Sequence, residues 1–167
     1  DNKQGVFYVT AKVSGGKLHY GDGWPDIENI EGDLAFRGTR MDVNARSGTI
    51  FGVTLSKVTA QIPRFNQDGE TLIINGEADG PTADFLRYIA ASPVSDYIDN
   101  FTKDMQSKGP GKLTLQLELP FAQKGKTKVT GVYQMTDNRL VVDAGVPALE
   151  QVSGRVEFTE AGVRLPS

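Results

Sequence analysis

The stretch that decides the fold is IENIEGDLAF at residues 27–36, which has a near copy, LEQVSGRVEF, at residues 149–158. Both read aliphatic, Glu, amide, aliphatic, any, Gly, any, aliphatic, any, Phe, with a constant offset of 122 residues (149 minus 27). A proline precedes each copy, Pro25 in the first and Pro147 in the second. The match indicates a repeating supersecondary unit. A glycine inside each predicted strand indicates a bulge or bend, which would curve the sheet.

Outward from this stretch, period-two alternation between turn signals dominates the chain and predicts antiparallel strands. Turn residues at Gly38-Thr39, Asn66–Gly69 and Asp137-Asn138 each predict a hairpin. We therefore expect a mainly β fold with two short α-helices, in which an antiparallel sheet is curved or groove-like. The predicted strands cover 6–13 with 17–20, 27–37, 40–46, 49–63, 71–78, 112–119, 127–136, 139–143 and 149–158.

A helical insertion is predicted at about residues 81–108. Its first part has Phe85, Leu86 and Ile89 at helical spacing. Ser92-Pro93 then reads as an N-cap followed by proline at the first helical position, and begins a second, amphipathic helix of about three turns. The apolar positions of that second helix are Val94, Tyr97, Ile98, Phe101 and Met105, and Gly109-Pro110-Gly111 ends it.

The repeat divides the chain into three predicted parts. Residues 1–23 would end a preceding β unit, residues 24–146 would form one unit with its helical insertion, and residues 147–167 would begin the next unit. An incomplete unit leaves an open strand edge, so neighbouring repeats of a longer parent chain are expected partners.

Composition narrows the function classes. The chain has 167 residues, which favours one domain, and a formal net charge of -3, so no basic excess is available for nucleic acid. Cysteine is absent, which excludes disulfides and cysteine-based metal sites. His19 is the only histidine and reads as a surface strand residue. We expect no catalytic residues, no metal and no cofactor, and therefore no enzyme; a glycan-acting enzyme would need converging carboxylates and an exposed Trp24.

Several segments resemble repeats of the YhdP-type AsmA-like family. They are residues 24–36 followed by 40–43, residues 92–95 leading to 109–113, residues 119–121 and residues 149–154. The resemblance covers roughly residues 20–160, and its motifs are structural rather than catalytic. It implies a large periplasmic parent anchored in the inner membrane, whose repeated β units form a long curved sheet. The resemblance further implies that phospholipid passes along the apolar concave face toward the outer membrane. This chain would line a short part of that face.

A lipid-lining set follows from this resemblance together with the alternation. An acyl chain needs a continuous apolar surface, and alternate residues of a curved sheet would provide one. The other reading is a β-rich structural or interaction module, in which the same side chains form a self-buried core without ligand. The candidate lining residues are Leu34, Phe36, Met41, Val43, Leu113, Leu115, Leu117 and Leu119.

Overall fold

The computed structural model describes residues 7–64, 70–121 and 126–164. The predicted turn at Asn66–Gly69 lies outside the described residues. Within them, ten strands and two helices follow one another along the chain. They are β1 (Tyr8–Leu18), β2 (Ile27–Arg37), β3 (Arg40–Ile50), β4 (Val53–Ile62), β5 (Thr71–Pro81), α1 (Thr82–Ala90), α2 (Val94–Tyr97), β6 (Gln106–Lys108), β7 (Pro110–Pro120), β8 (Lys128–Val141), β9 (Leu149–Thr159) and β10 (Gly162–Arg164).

All the described strands belong to one open antiparallel sheet in which neighbours in sequence are mostly neighbours in space. The order is β1-β2-β3-β4-β5-β7-β8-β9-β10, and short β6 pairs with β8 just before the start of β7. The expected fold class is therefore confirmed: mainly β, antiparallel, with two short helices. This meander follows from short connections, because a tight turn joins two strands only if they run antiparallel.

The two copies of the sequence repeat form hairpins with the same register. Adding 122 to the residue numbers of a facing pair in β1 and β2 gives a facing pair in β8 and β9. This holds before, between and after the two register shifts of each hairpin. The sequence repeat is therefore also a repeat of backbone pairing, while its boundaries at residues 24 and 147 stay a prediction. Corresponding pairs are Tyr8–Arg37 with Thr130–Thr159, Gly16–Ile30 with Asn138–Val152, and Leu18–Ile27 with Leu140–Leu149.

Left-handed residues mark the same irregularities in both copies. Asn29 has φ 53° and its counterpart Gln151 has φ 55°; Gly15 has φ 61° and its counterpart Asp137 has φ 51°. Asparagine, aspartate and glycine enter this region at low steric cost, which fits Asn29, Asp137 and Gly15, while Gln151 is the exception. The irregular pairing of β2 with β3 reaches Gly32. A bulge is therefore present where the strand glycine of the first copy predicted one.

The predicted hairpin at Asp137-Asn138 is wrong. β8 runs unbroken through both residues, and the register shifts there against β9. A left-handed residue supports either a tight turn or a bulge. Here Asn138 is fully buried and bonded to two other strands, which favours the bulge.

The second predicted helix is also wrong in its length. α1 confirms the helical spacing of Phe85, but α2 is a single turn that ends at Tyr97. Asp99 and Asn100 have φ 51° and 56°, so the right-handed helix cannot continue through them. Phe101, expected on the apolar face, is exposed. The run 49–63 is likewise divided, because Phe51, at φ 55°, turns the chain between β3 and β4.

The sheet curls around one of its faces. Ile27 in β2 and Leu117 in β7 line the same cavity, whose volume is about 70 Å³. These strands are four strand spacings apart in the sheet, which is about 19 Å on a flat sheet. Side chains from strands this far apart meet at one cavity, which indicates that the sheet bends toward this face. The resulting core contains buried residues from β2 to β8 and from α1.

Candidate functional site

The face of the sheet that carries the buried core is called the inner face below. One row of facing residues crosses seven neighbouring strands without a polar side chain. The row matters because each step is a direct cross-strand neighbour, with Cβ atoms about 4.5–5.5 Å apart. It runs Ala11, Leu34, Val43, Ala60, Ile74, Leu117 and Val129.

All eight predicted lining residues lie on this inner face. On one side, Leu34 faces Val43 and Phe36 faces Met41 across β2 and β3. On the other side, the four leucines of β7 face β5 residues, for example Leu115 opposite Gly76. β4 and β5 separate the two groups in the sheet. The structure therefore brings the predicted residues onto one surface but in two separate groups.

Burial divides the eight residues further. Leu117 is 2% exposed and Leu119 is 9% exposed, so both are core residues in this structure. The other six are half-buried: Leu34, Phe36, Met41, Val43, Leu113 and Leu115. A ligand on the inner face would therefore reach the half-buried residues first, with Leu117 and Leu119 beneath it.

The candidate set does not include the inner-face residues that lie between these two groups. Ala60 and Ile62 of β4 and Leu72 and Ile74 of β5 are buried on the same face. Their alternation was present in the sequence of β4, but Lys57, at φ 51°, interrupts it and shifts the pairing with β5. A bulge adds one residue to the strand. The side chains after it therefore lie on the face opposite to the one that strict alternation predicts.

Aromatic side chains hold α1 over one end of the inner face. The Phe85 and Tyr133 rings meet edge to face with centroids 4.9 Å apart, and the Tyr133 hydroxyl shares a hydrogen bond of 2.5 Å with Thr82 Oγ1. The hydroxyls of Tyr88 and Tyr20 share another of 3.0 Å. Burial raises the pKa of Tyr20 to about 12 and the pKa of Tyr88 well above its ordinary value. Both phenols are therefore neutral at physiological pH.

Trp24 packs in the same cluster. Its ring centroid lies 6.0 Å from that of Tyr20 and 6.2 Å from that of Tyr88, and its side chain is buried. Trp24 therefore anchors the entrance of β2 against α1 rather than presenting an exposed stacking surface.

The comparison with protein-family models gives a match to the family described as YhdP protein, over residues 1–166. The chain belongs to the YhdP family. Among curated proteins, it is 23% identical over 163 residues to the intermembrane phospholipid transporter YhdP of Escherichia coli (strain K12). This alignment covers 98% of the chain but 13% of the relative, so the chain spans a small part of that protein's length. No solved structure matches.

A small cluster of charged side chains lies on the surface of this YhdP-family chain around Asp26. His19 Nδ1 lies 2.8 Å from Asp26 Oδ1, and Lys17 Nζ lies 3.3 Å from Asp26 Oδ2. Hydrogen bonds that His19 donates to Asp26 and, to a smaller extent, to Asp22 raise the pKa of this exposed imidazole. Among residues 7–64, 70–121 and 126–164, no group of three or more His, Asp or Glu side chains is placed to hold a metal ion.

The helices in the part of the chain that the structure describes are short. None of them combines the length and the apolar composition that a membrane crossing requires.

Proposed function

We propose that this chain is a non-catalytic segment of a periplasmic phospholipid-transport protein, and that its inner face carries acyl chains between the inner and outer membranes. The observation that carries the proposal is the aliphatic row across seven strands, from Ala11 to Val129. Family membership and the name of the Escherichia coli relative support phospholipid as the cargo.

The physical basis is the contrast between the two faces of the sheet. Removing an acyl chain from water is favourable by about 0.8 kcal/mol for each buried methylene, and needs no specific polar contact. The outer face, by contrast, carries ion pairs such as Arg46–Asp33 at 2.6 Å, Arg40–Asp42 at 2.8 Å and Lys112–Glu77 at 3.9 Å. Hydrocarbon would therefore select the inner face. We place first contact at the half-buried Leu34, Phe36, Met41, Val43, Leu113 and Leu115.

The parent protein is part of the proposal. We infer an anchor in the inner membrane and neighbouring repeats that continue the sheet on both sides of this segment. The identical register of the two hairpins supports this, since each further unit would add the same strands in the same pairing.

A second candidate function is a structural or interaction module with a self-buried core and no ligand. The burial of Leu117 and Val129, which are 2% and 1% exposed, favours it. In that case, the bending of the sheet alone would bury the apolar side chains, without a ligand.

Two glutamate substitutions at neighbouring positions distinguish these functions. Val43→Glu places a charge on the inner face, and Asn44→Glu places the same charge one residue away on the outer face. Native mass spectrometry with lipid extraction should find phospholipid on the chain without substitutions and on the Asn44→Glu variant. It should find less phospholipid on a Val43→Glu variant that is still folded. If the chain without substitutions carries no lipid and binds none from added phospholipid vesicles, the structural module is favoured instead.

A further inference from the structure

The cavity beneath α1 lies at the point where the inner face meets the helix. We propose that it receives the methyl end of a hydrocarbon chain, and that Phe85 and Tyr88 form the wall that limits how long that chain can be. This inference rests on the proposed function and adds a specificity to it.

The lining of the cavity fits hydrocarbon and little else. Ile74, Leu115 and Leu117 form its floor, and the α1 residues Phe85 and Tyr88 close it from above. The floor residues lie on the inner face defined above, so the cavity is continuous with the surface proposed for acyl chains. The chain end would therefore enter along β7 and stop at α1.

The polar groups near the cavity each have a partner within the protein. Tyr88 and Tyr20 bond to each other through their hydroxyls. The carboxylate of Glu77 lies within 4 Å of Lys57 and Lys112, which are exposed, so it is directed to the outer side. A water molecule needs about two to four polar partners, and the lining exposes almost no polar surface to the cavity. The cavity should therefore be dry and open to an apolar group.

The size of the cavity fits the end of a chain. Its volume is about 70 Å³, whereas one water molecule takes about 30 Å³ of the liquid. Only the last few carbons of an acyl chain would therefore enter. The remainder would lie along the half-buried residues of the inner face.

The wall is fixed from both sides, which makes it a stop rather than a loose cover. From below, Phe85 packs on Tyr133 at 4.9 Å. From above, the Arg87 guanidinium lies 4.6 Å from the centroid of Phe51, at the turn between β3 and β4. The Asp84 carboxylate closes over Gly52 in the same turn, so closely that a Cβ atom there would overlap with it. A longer chain would have to displace α1 against all these contacts.

The test is a binding series with saturated fatty acids of increasing length, measured by displacement of a fluorescent fatty acid. In the parent, each added methylene should strengthen binding about fourfold until the chain reaches the wall, and no further after that. Phe85→Ala removes the wall and should move this limit to longer chains. Ala78→Val narrows the cavity and should move the limit to shorter chains, since Ala78 lines it.

Phe101→Ala is the matched control, because Phe101 is exposed and is not part of the cavity lining. It should leave the limit unchanged. Circular dichroism shows which variants are folded, and Ala78→Val decides the question if Phe85→Ala unfolds. A parent that binds fatty acids with the same limit in every folded variant would overturn this inference alone. A parent that binds no fatty acid at any length would overturn the proposed function together with it.

Discussion

At the residue scale, Gly32 and Gly154 occupy equivalent positions of the repeat but have different surroundings. A Cβ atom on Gly32 would lie 2.3 Å from the Asn44 carbonyl oxygen and 2.8 Å from Ala45 Cα, so the backbone of β3 would have to move. The same atom on Gly154 would meet nothing within 4 Å. We expect Gly32→Ala to lower the free energy of unfolding by about 1–3 kcal/mol. Gly154→Ala should change it by less than about 0.5 kcal/mol.

Urea denaturation of the two variants, followed by circular dichroism, measures both values. Each variant is the control of the other, because the sequence context of the two glycines is nearly the same. Equal losses would mean that both glycines are needed for their backbone conformation, and that close approach of β3 is not the reason for Gly32.

A second residue-scale prediction concerns pH. The hydrogen bond to Asp26 raises the pKa of His19, so the folded state favours the protonated imidazole. Its contribution is fully present below the ordinary histidine pKa of about 6.5. It is lost as pH rises through the higher pKa of the folded state. We therefore expect the parent to lose stability relative to His19→Gln as pH rises from about 6 to about 8.

Urea midpoints of the parent and of His19→Gln across this range provide the measurement. At low pH a second loss should follow, because His19 holds the pKa of Asp26 below its ordinary value and protonation of Asp26 breaks the pair. A constant difference between parent and variant at every pH would show that the pair does not contribute to folding.

At the element scale, Asn138 holds β6 in place. Its Nδ2 donates to the carbonyl oxygens of Pro110 and Thr136, both at 2.9 Å, and its Oδ1 accepts from Ser107 Oγ at 2.9 Å. Asn138 is fully buried, and an alanine would remove all three hydrogen bonds. We expect Asn138→Ala to lower the free energy of unfolding by about 1–3 kcal/mol. Hydrogen exchange should also become faster throughout β6.

The matched control is Asn75→Ala, since Asn75 is exposed on the outer face of β5. It should leave the exchange rates of β6 unchanged. Protection of β6 that persists in Asn138→Ala would mean that pairing of β6 with β8 suffices, and that the side-chain bonds contribute little.

The elements also show where sequence patterns suffice and where they do not. The helical spacing of Phe85, Leu86 and Ile89 correctly predicted α1, because α1 buries one face against the core. The same spacing failed beyond Tyr97, where Asp99 is left-handed. Aspartate and asparagine tolerate that conformation, but they also occur in helices, so only tertiary packing decides between the two.

At the scale of the whole molecule, alternation predicted the face of each candidate lining residue but not its exposure. Leu113 and Leu117 share a strand and a face, yet Leu113 is half-buried and Leu117 is in the core. Strand periodicity has only two states, so it distinguishes inside from outside and nothing finer. Exposure on the inner face depends on the curl of the sheet. Several bulges together determine how strongly the sheet bends, so the bend cannot be predicted from any single segment of the sequence.

The open edges of the sheet give the last prediction. Within the described residues, β1 pairs only with β2, and Tyr8 and Val9 are exposed near its start. An exposed strand edge offers unpaired backbone groups to another chain, so the chain should self-associate as its concentration rises. Sedimentation velocity should show this, and Val9→Lys should weaken association by about tenfold, which corresponds to about 1.4 kcal/mol. Asn75→Lys adds the same charge on a central strand and should change nothing. Equal weakening by both variants would point to net charge instead of the edge, and a monomer at every concentration would show that the edge of β1 is protected.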